Sequence, residues 1–190
     1  MVLAILAAAW PGAQAQAAKP ATDLYLSVQG SVAVAGAATE RLPVRYKGEL
    51  LADAGGVPLM RGGRASVYDG RFELNLFGVI ADSCLSSNSL RPVFAPAGAK
   101  PRGGELRVVK RRKVIMDLDA YVAPELAGFD CRSGDRPLGE TVSLRFTGTL
   151  GKAGLASVPL AASSPVRLAS GKRGTLKITA RATIRRLRKR

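Results

Sequence analysis

From Leu24 onward the apolar positions recur with a period of two. Leu24, Leu26, Val28, Val32 and Val34 alternate with Tyr25, Ser27, Gln29 and Ser31, and Leu42, Val44, Tyr46, Gly48 and Leu50 alternate with Pro43, Arg45, Lys47 and Glu49. The same alternation runs through Phe72–Leu76, Val114–Val122, Val142–Leu150 and Leu176–Ile184. Apolar-in, polar-out alternation predicts strands with one buried and one wet face, as in antiparallel sheets. No window of a dozen residues carries a helical period. Gly55-Gly56, Gly62-Gly63, Gly103-Gly104, Ser133-Gly134 and Ser170-Gly171 read as turns, and Asp69-Gly70 as a two-residue hairpin. Pro58 and Pro159, each in a Val-Pro-Leu run, predict edge or bulged strands.

Two stretches one hundred positions apart share a pattern. Glu40–Leu50 (ERLPVRYKGEL) and Glu140–Leu150 (ETVSLRFTGTL) match at Glu40/Glu140, Arg45/Arg145, Tyr46/Phe146, Gly48/Gly148 and Leu50/Leu150. Val57-Pro58-Leu59 against Val158-Pro159-Leu160 is a second match, and Gly70–Leu74 against Gly174–Ile178 a looser third. This reads as an internal duplication. The expected fold is all-β: an antiparallel β-sandwich of roughly seven to ten strands, its halves (about 24–80 and 114–185) related by a pseudo-twofold axis. Between them lie Ile80–Arg107 and Ala123–Arg136, expected to be long surface loops.

A chain of 190 residues supports one domain, placed at 19–190. Residues 1–18 have the form of a secretory signal peptide, with an apolar run Val2–Trp10 and small residues after it, although no Lys or Arg follows Met1. An apolar run that short does not span a bilayer, so no transmembrane segment is expected after cleavage. The two cysteines, Cys84 and Cys131, fit an exported chain whose pair is oxidised. Such a bond would contribute about 4 kcal/mol through chain entropy. The expected location is therefore extracytoplasmic, secreted or bound to the cell envelope. An outer-membrane barrel is disfavoured by scattered aromatics and a final strand running into Arg-Arg-Leu-Arg-Lys-Arg.

Charge is unevenly spread. Of 29 Lys/Arg and 14 Asp/Glu in the chain, the segment 141–190 holds 12 of the cations and none of the acids. Lys177, Arg181 and Arg185 share the polar face of the last strand. Arg186, Arg188, Lys189 and Arg190 form a basic tail (186–190), and Lys110, Arg111, Arg112 and Lys113 a second cluster at a hairpin tip or bend. These are the candidate anion-binding residues, for a cell-wall polymer or an anionic lipid surface. A solvated sheet face and a frayed terminus account for the same pattern without a ligand. Nucleic acid fits least, because no aromatics interleave the basic residues.

Catalytic signals are sparse. With no His in the chain, the Ser-His-Asp triad and the commonest general base are absent, and no nucleophile elbow, P-loop or dinucleotide fingerprint occurs. The pair Asp117/Asp119 shares one strand face about 7 Å apart, a spacing compatible with glycoside hydrolysis. Acids so placed more often offset cross-strand cations. No metal site or cofactor is implied. The leading expectation is a non-catalytic module that associates with an anionic envelope component through its basic C-terminal half. A carrier of a small apolar ligand or lipid is the alternative, and a glycan hydrolase using Asp117 and Asp119 the third.

Overall fold

A computed structural model describes residues 24–36, 44–55, 59–75, 90–94, 104–109, 112–124 and 137–187. Among the described residues nine strands form in chain order: β1 Leu24–Ala35, β2 Val44–Asp53, β3 Arg64–Asn75, β4 Leu90–Val93, β5 Gly104–Val109, β6 Lys113–Val122, β7 Glu140–Thr149, β8 Val158–Arg167 and β9 Arg173–Arg186. Strands β4 and β5 occupy one position. β5 pairs with the first half of β6 (Gly104↔Leu118 to Val109↔Lys113), and β4 with the second half (Leu90↔Val122 to Val93↔Asp119).

The eight positions close into an antiparallel barrel. Successive positions pair with one another around the wall, and the last strand returns to the first along twelve residues, Leu24↔Arg186 to Ala35↔Thr175. The expected β-sandwich is thus overturned. Alternation and turn chemistry are identical for a sandwich and an up-and-down barrel; the pairing of β1 with β9 separates them, and no local pattern encodes that pairing. With the β3–β5 register continued from Ser66↔Glu105 and the β7–β8 register from Thr147↔Ala161, the path leads from Leu24 through Ala52, Val67, Gly104, Leu118, Leu144, Ser164 and Leu176 back to β1 at Val34, ten positions past the start. An eight-stranded barrel with that stagger has strands tilted about 40° and a lumen that side chains can fill.

Glycines inside strands make the curvature possible. A β-carbon at Gly30, midway along β1, would lie 1.9 Å from the Thr179 carbonyl oxygen and 2.7 Å from the Ala180 Cα of β9. Only a residue with no side chain permits that approach. Asp69-Gly70 does not form the expected hairpin. β3 runs through it, and the register against β2 slips from Leu51↔Asp69 to Ala52↔Val67, leaving Tyr68 as the extra residue of a bulge. Gly70 has φ 150°, and its N–H donates to Asp69 Oδ1 at 2.7 Å. The Asp-Gly pair here bends a strand instead of ending one.

The duplication does not survive as a structural repeat. Tyr46 on β2 and Phe146 on β7 do both point inward, four positions apart in the barrel. The second match differs at its one described position: Leu59 begins a 3-10 turn, Leu59–Arg61, whereas its counterpart Leu160 lies within β8, and Val57 and Pro58 lie outside the described residues. The third would equate β3 with β9, which are not four positions apart. Inward aliphatics, an aromatic and a strand glycine are what a tightly curved wall demands at any position.

The lumen is apolar. Leu26, Val28, Leu50, Leu106, Met116, Leu118, Leu144, Phe146, Leu176 and Ile178 are at most 1% exposed and belong to one contiguous cluster. Tyr46 packs edge-on against Phe72 with ring centroids 5.5 Å apart. The outer face carries Lys47, Glu49, Arg71, Asp117, Arg145, Lys177 and Arg181 along the strands. That polarity is the reverse of a transmembrane barrel, where each mid-wall Lys or Arg would cost about 2–4 kcal/mol. No helix among the described residues is long and apolar enough to cross a membrane.

Pro159 and Pro165 do not mark an edge, since the closed wall has none at β8. Arg167 N–H donates to the Glu140 carboxylate, and the Arg167 carbonyl accepts from Leu138 N–H, so odd-numbered residues of β8 direct their backbone groups toward β7. The two prolines therefore remove donors from that seam alone. Its ladder is reduced to one pair, Thr147↔Ala161, while β8 pairs with β9 along its whole length. The stretch Ile80–Arg107, expected to be a loop, contains β4 and the first four residues of β5.

Candidate anion-binding face

Strand β9 sets one side of the barrel. Its inward residues Leu176, Ile178, Ala182 and Ile184 anchor it in the core, which leaves Arg173, Thr175, Lys177, Thr179, Arg181, Thr183 and Arg185 facing out. The cations recur every fourth residue, about 13 Å apart at the rise of a strand. Outward positions on the flanking strands are neutral on β1 (Tyr25, Ser27, Gln29, Ser31, Ala33) and, apart from Arg167, on β8 (Pro159, Ala161, Ser163, Pro165). The three-strand wall β8–β9–β1 thus contains no carboxylate. Lys177 and Arg173 make no ion pair among the described residues. Arg181 donates to Ser157 Oγ at 2.6 Å, a neutral partner.

Among the described residues, acidic and aromatic partners meet the wall's cations at its margins. Arg167 Nε donates to Glu140 at 3.1 Å. At the far end Arg185 lies 5.6 Å over the Tyr25 ring. The Tyr25 hydroxyl donates to Glu49, which raises the tyrosine's pKa and lowers the carboxylate's, with Lys47 and Arg71 also favouring the charged carboxylate. Lys47 and Arg71 lie 3.5 and 3.9 Å from Glu49.

Two of the grooves on the outer surface, both lined by described residues, are of similar size and differ in charge. One, of about 740 Å3, is lined among others by Asp53, Arg64, Glu105, Arg107, Asp117 and Arg145, three cations against three acids. Arg145 Nε donates to Asp117 at 2.6 Å, Arg107 bridges Asp117 (3.2 Å) and Glu105 (2.9 Å), and Arg64 reaches Glu105 at 3.3 Å. The hydrogen bond from Arg145 to Asp117 raises the arginine's pKa. The other groove, of about 630 Å3, is lined by Gln29, Gly30, Ser31, Arg45, Tyr46, Lys47, Thr179, Ala180 and Arg181. It holds three cations and no acid.

The sequence candidates fall differently. Asp117 and Asp119 share an outer face as expected, but each is engaged across the β6–β7 pair. Asp117 holds Arg145 and Arg107, and Asp119 accepts from Ser143 Oγ at 2.6 Å. The arrangement is a cross-strand charge ladder. Lys177, Arg181 and Arg185 are brought together on one wall, and Arg186 closes β9 beside them. Arg112 lies across the barrel at the β5–β6 tip in the left-handed region (φ 63°), its guanidinium donating to the Gly151 carbonyl at 2.6 Å, and Lys113 begins β6. Lys110, Arg111, Arg188, Lys189, Arg190, the cysteines Cys84 and Cys131, and residues 1–18 lie outside the described residues.

Arg45, matched to Arg145 in the sequence comparison, is a site residue that the charge pattern does not single out as anion-binding. It is exposed, makes no ion pair among the described residues, and stands in the same cross-strand row as Ser31 and Thr179. Nothing in β2 alone marks it; only closure of β1 onto β9 places it near Arg181. No group of His, Cys, Asp and Glu among the described residues is arranged to hold a metal ion. No protein-family model, curated protein or solved structure matches the chain.

Proposed function

We propose that the protein is a non-catalytic, extracytoplasmic barrel module that associates with an anionic cell-envelope polymer through its β8–β9–β1 wall. The observation that carries this reading is the absence of any carboxylate on a three-strand face that presents Arg173, Lys177 and Arg181. Elsewhere on the barrel each Arg of the larger groove has an acidic partner. Positive charge left uncompensated on one side attracts a polyanion and orients the barrel toward it. Export is supported by the apolar run Val2–Trp10 with small residues behind it and by the pair Cys84 and Cys131.

A polymer fits this wall better than a lipid surface does. The residues between the cations are Thr, Ser, Gln and Ala, and interfacial binding calls for large apolar side chains beside the basic ones. Among the described residues the exposed large apolar side chains Met60, Val93, Val109 and Leu138 lie on other elements, and Leu187 follows β9.

The test is retention of the full chain on immobilised poly(glycerol phosphate) at low salt. Each cation near an anionic surface contributes about 1 kcal/mol, so Arg173→Gln with Lys177→Gln should weaken binding roughly 30-fold. Unchanged retention, or binding to phosphatidylglycerol vesicles without binding to the polymer, overturns the reading.

A further inference from the structure

We infer that the groove over Gly30 is a discrete binding site for a phosphate-type oxyanion. The inference deepens the reading of the basic wall, and rests on it only for the identity of the polymer. Two cross-strand rows build the groove: Lys47, Gln29 and Arg181 in one, Arg45, Ser31 and Thr179 in the next. All six side chains point outward, on three strands about 4.8 Å apart with rows about 7 Å apart. The guanidiniums of Arg45 and Arg181 therefore rise from opposite corners of the array, with short polar side chains between them.

Every side-chain polar group in that array can donate a hydrogen bond. Ser31 Oγ and Thr179 Oγ1 are 2.9 Å apart, so one hydroxyl donates to the other and one proton remains to be aimed elsewhere. The Gln29 carboxamide, the Lys47 ammonium and two guanidiniums complete the set. Lys47 alone has acidic neighbours: Glu49 at 3.5 Å, in a largely exposed contact, and Glu73 directly across the β2–β3 pair. Guanidiniums match the oxygen pairs of a phosphate in bidentate fashion, and a tetrahedral anion can meet donors from several directions at once.

The larger groove supplies the contrast. Its three arginines are held in place by Asp117 and Glu105, with Asp53 nearby, so an incoming anion would have to displace a carboxylate. In the Gly30 groove neither Arg45 nor Arg181 has a carboxylate to give up, and only Lys47 shares one, Glu49. Gly30 itself shapes the floor, because the close approach of β1 to β9 there excludes any side chain. A free phosphate and a phosphodiester unit of a polymer present the same oxygens, so the site's chemistry is shared and its source is for the experiment to separate.

The probe is inorganic phosphate titrated into the full chain, read by amide NMR shifts, with a glycerol phosphate oligomer in a second arm. Saturable shifts at Gly30, Ser31 and Thr179 are expected. Arg45→Gln with Arg181→Gln should weaken phosphate binding at least tenfold, whereas Arg173→Gln with Lys177→Gln removes the same charge from the wall and should change it less than threefold. Thermal melts of both doubles check the fold, since all four side chains are exposed. Tighter binding of the oligomer than of phosphate assigns the site to a polymer, and equal binding assigns it to the free anion. Non-saturable shifts, or equal weakening by the two doubles, overturn the site while leaving the wall reading intact. If phosphate saturates the groove but neither double alters polymer retention, the wall reading fails and the site stands.

Discussion

Replacing Gly30 by Ala tests how the barrel closes. The added β-carbon would sit 1.9 Å from the Thr179 carbonyl oxygen and 2.7 Å from Ala180 Cα, and both obstacles are backbone. They cannot rotate away as a side chain could, so β1 and β9 must separate locally. Overpacking of this kind costs about 1–3 kcal/mol, and each ladder hydrogen bond lost adds about 1 kcal/mol. With one or two bonds broken the total is about 2–5 kcal/mol. In a domain of this size that lowers Tm by roughly 5–15 °C. Gly151→Ala is the matched control, because a β-carbon there would meet no atom within 4 Å and the residue's φ is not positive. The same chemical change there should be neutral or stabilise by about 0.4–1 kcal/mol through the unfolded state. Circular dichroism melts of the two variants against wild type decide it. A Gly30→Ala melt within about 2 °C of wild type, well short of the shift expected for such a cost, would refute the reasoning about curvature.

Two further outcomes follow from the lumen and the seam. Tyr46 is 2% exposed and its hydroxyl has no hydrogen-bond partner among the described residues; burial raises its pKa far above the usual tyrosine value. The folded state therefore resists ionisation that the unfolded chain undergoes near pH 10, and stability should fall as pH rises above that point. Tyr46→Phe should match or exceed wild-type stability at pH 7, by up to about 1 kcal/mol, and lose less at pH 11 in urea titrations. Pro165→Thr restores a donor on the β7 side of β8, and hydrogen exchange should show slower exchange of β7 and β8 amides, with no change in β2 and β3.

The existence of most strands is legible because inward positions of β1, β2, β6, β7 and β9 alternate cleanly for nine residues or more. β8 is harder to read: VPLAASSPVR has two prolines, and its inward positions include Ala162 and Ser164, too small or polar to stand out. β4 and β5 share one wall position and are individually short, so neither carries enough period to be seen. Asp69-Gly70 misleads because one dipeptide serves both a hairpin and a bulge, and the distinction lies in what faces it across the strand. A sandwich is the natural expectation because the two architectures bury the same faces. They differ in whether Leu24–Ala35 meets Arg173–Arg186, a contact between the two ends of the described chain. The basic face is visible as composition, but the groove is not. Arg45 and Arg181 are separated by most of the chain, and only closure brings them within reach of one anion.

The most direct test of the account is the salt dependence of polymer binding. Log affinity of the full chain for poly(glycerol phosphate), plotted against log salt, should fall steeply. For the quadruple variant Arg45→Gln, Arg173→Gln, Lys177→Gln, Arg181→Gln the slope should be shallower by about 3, on roughly 0.7 per cation removed. A quadruple variant with the wild-type slope would contradict the claim that the β8–β9–β1 wall, with Arg45 of the adjoining groove, carries the interaction.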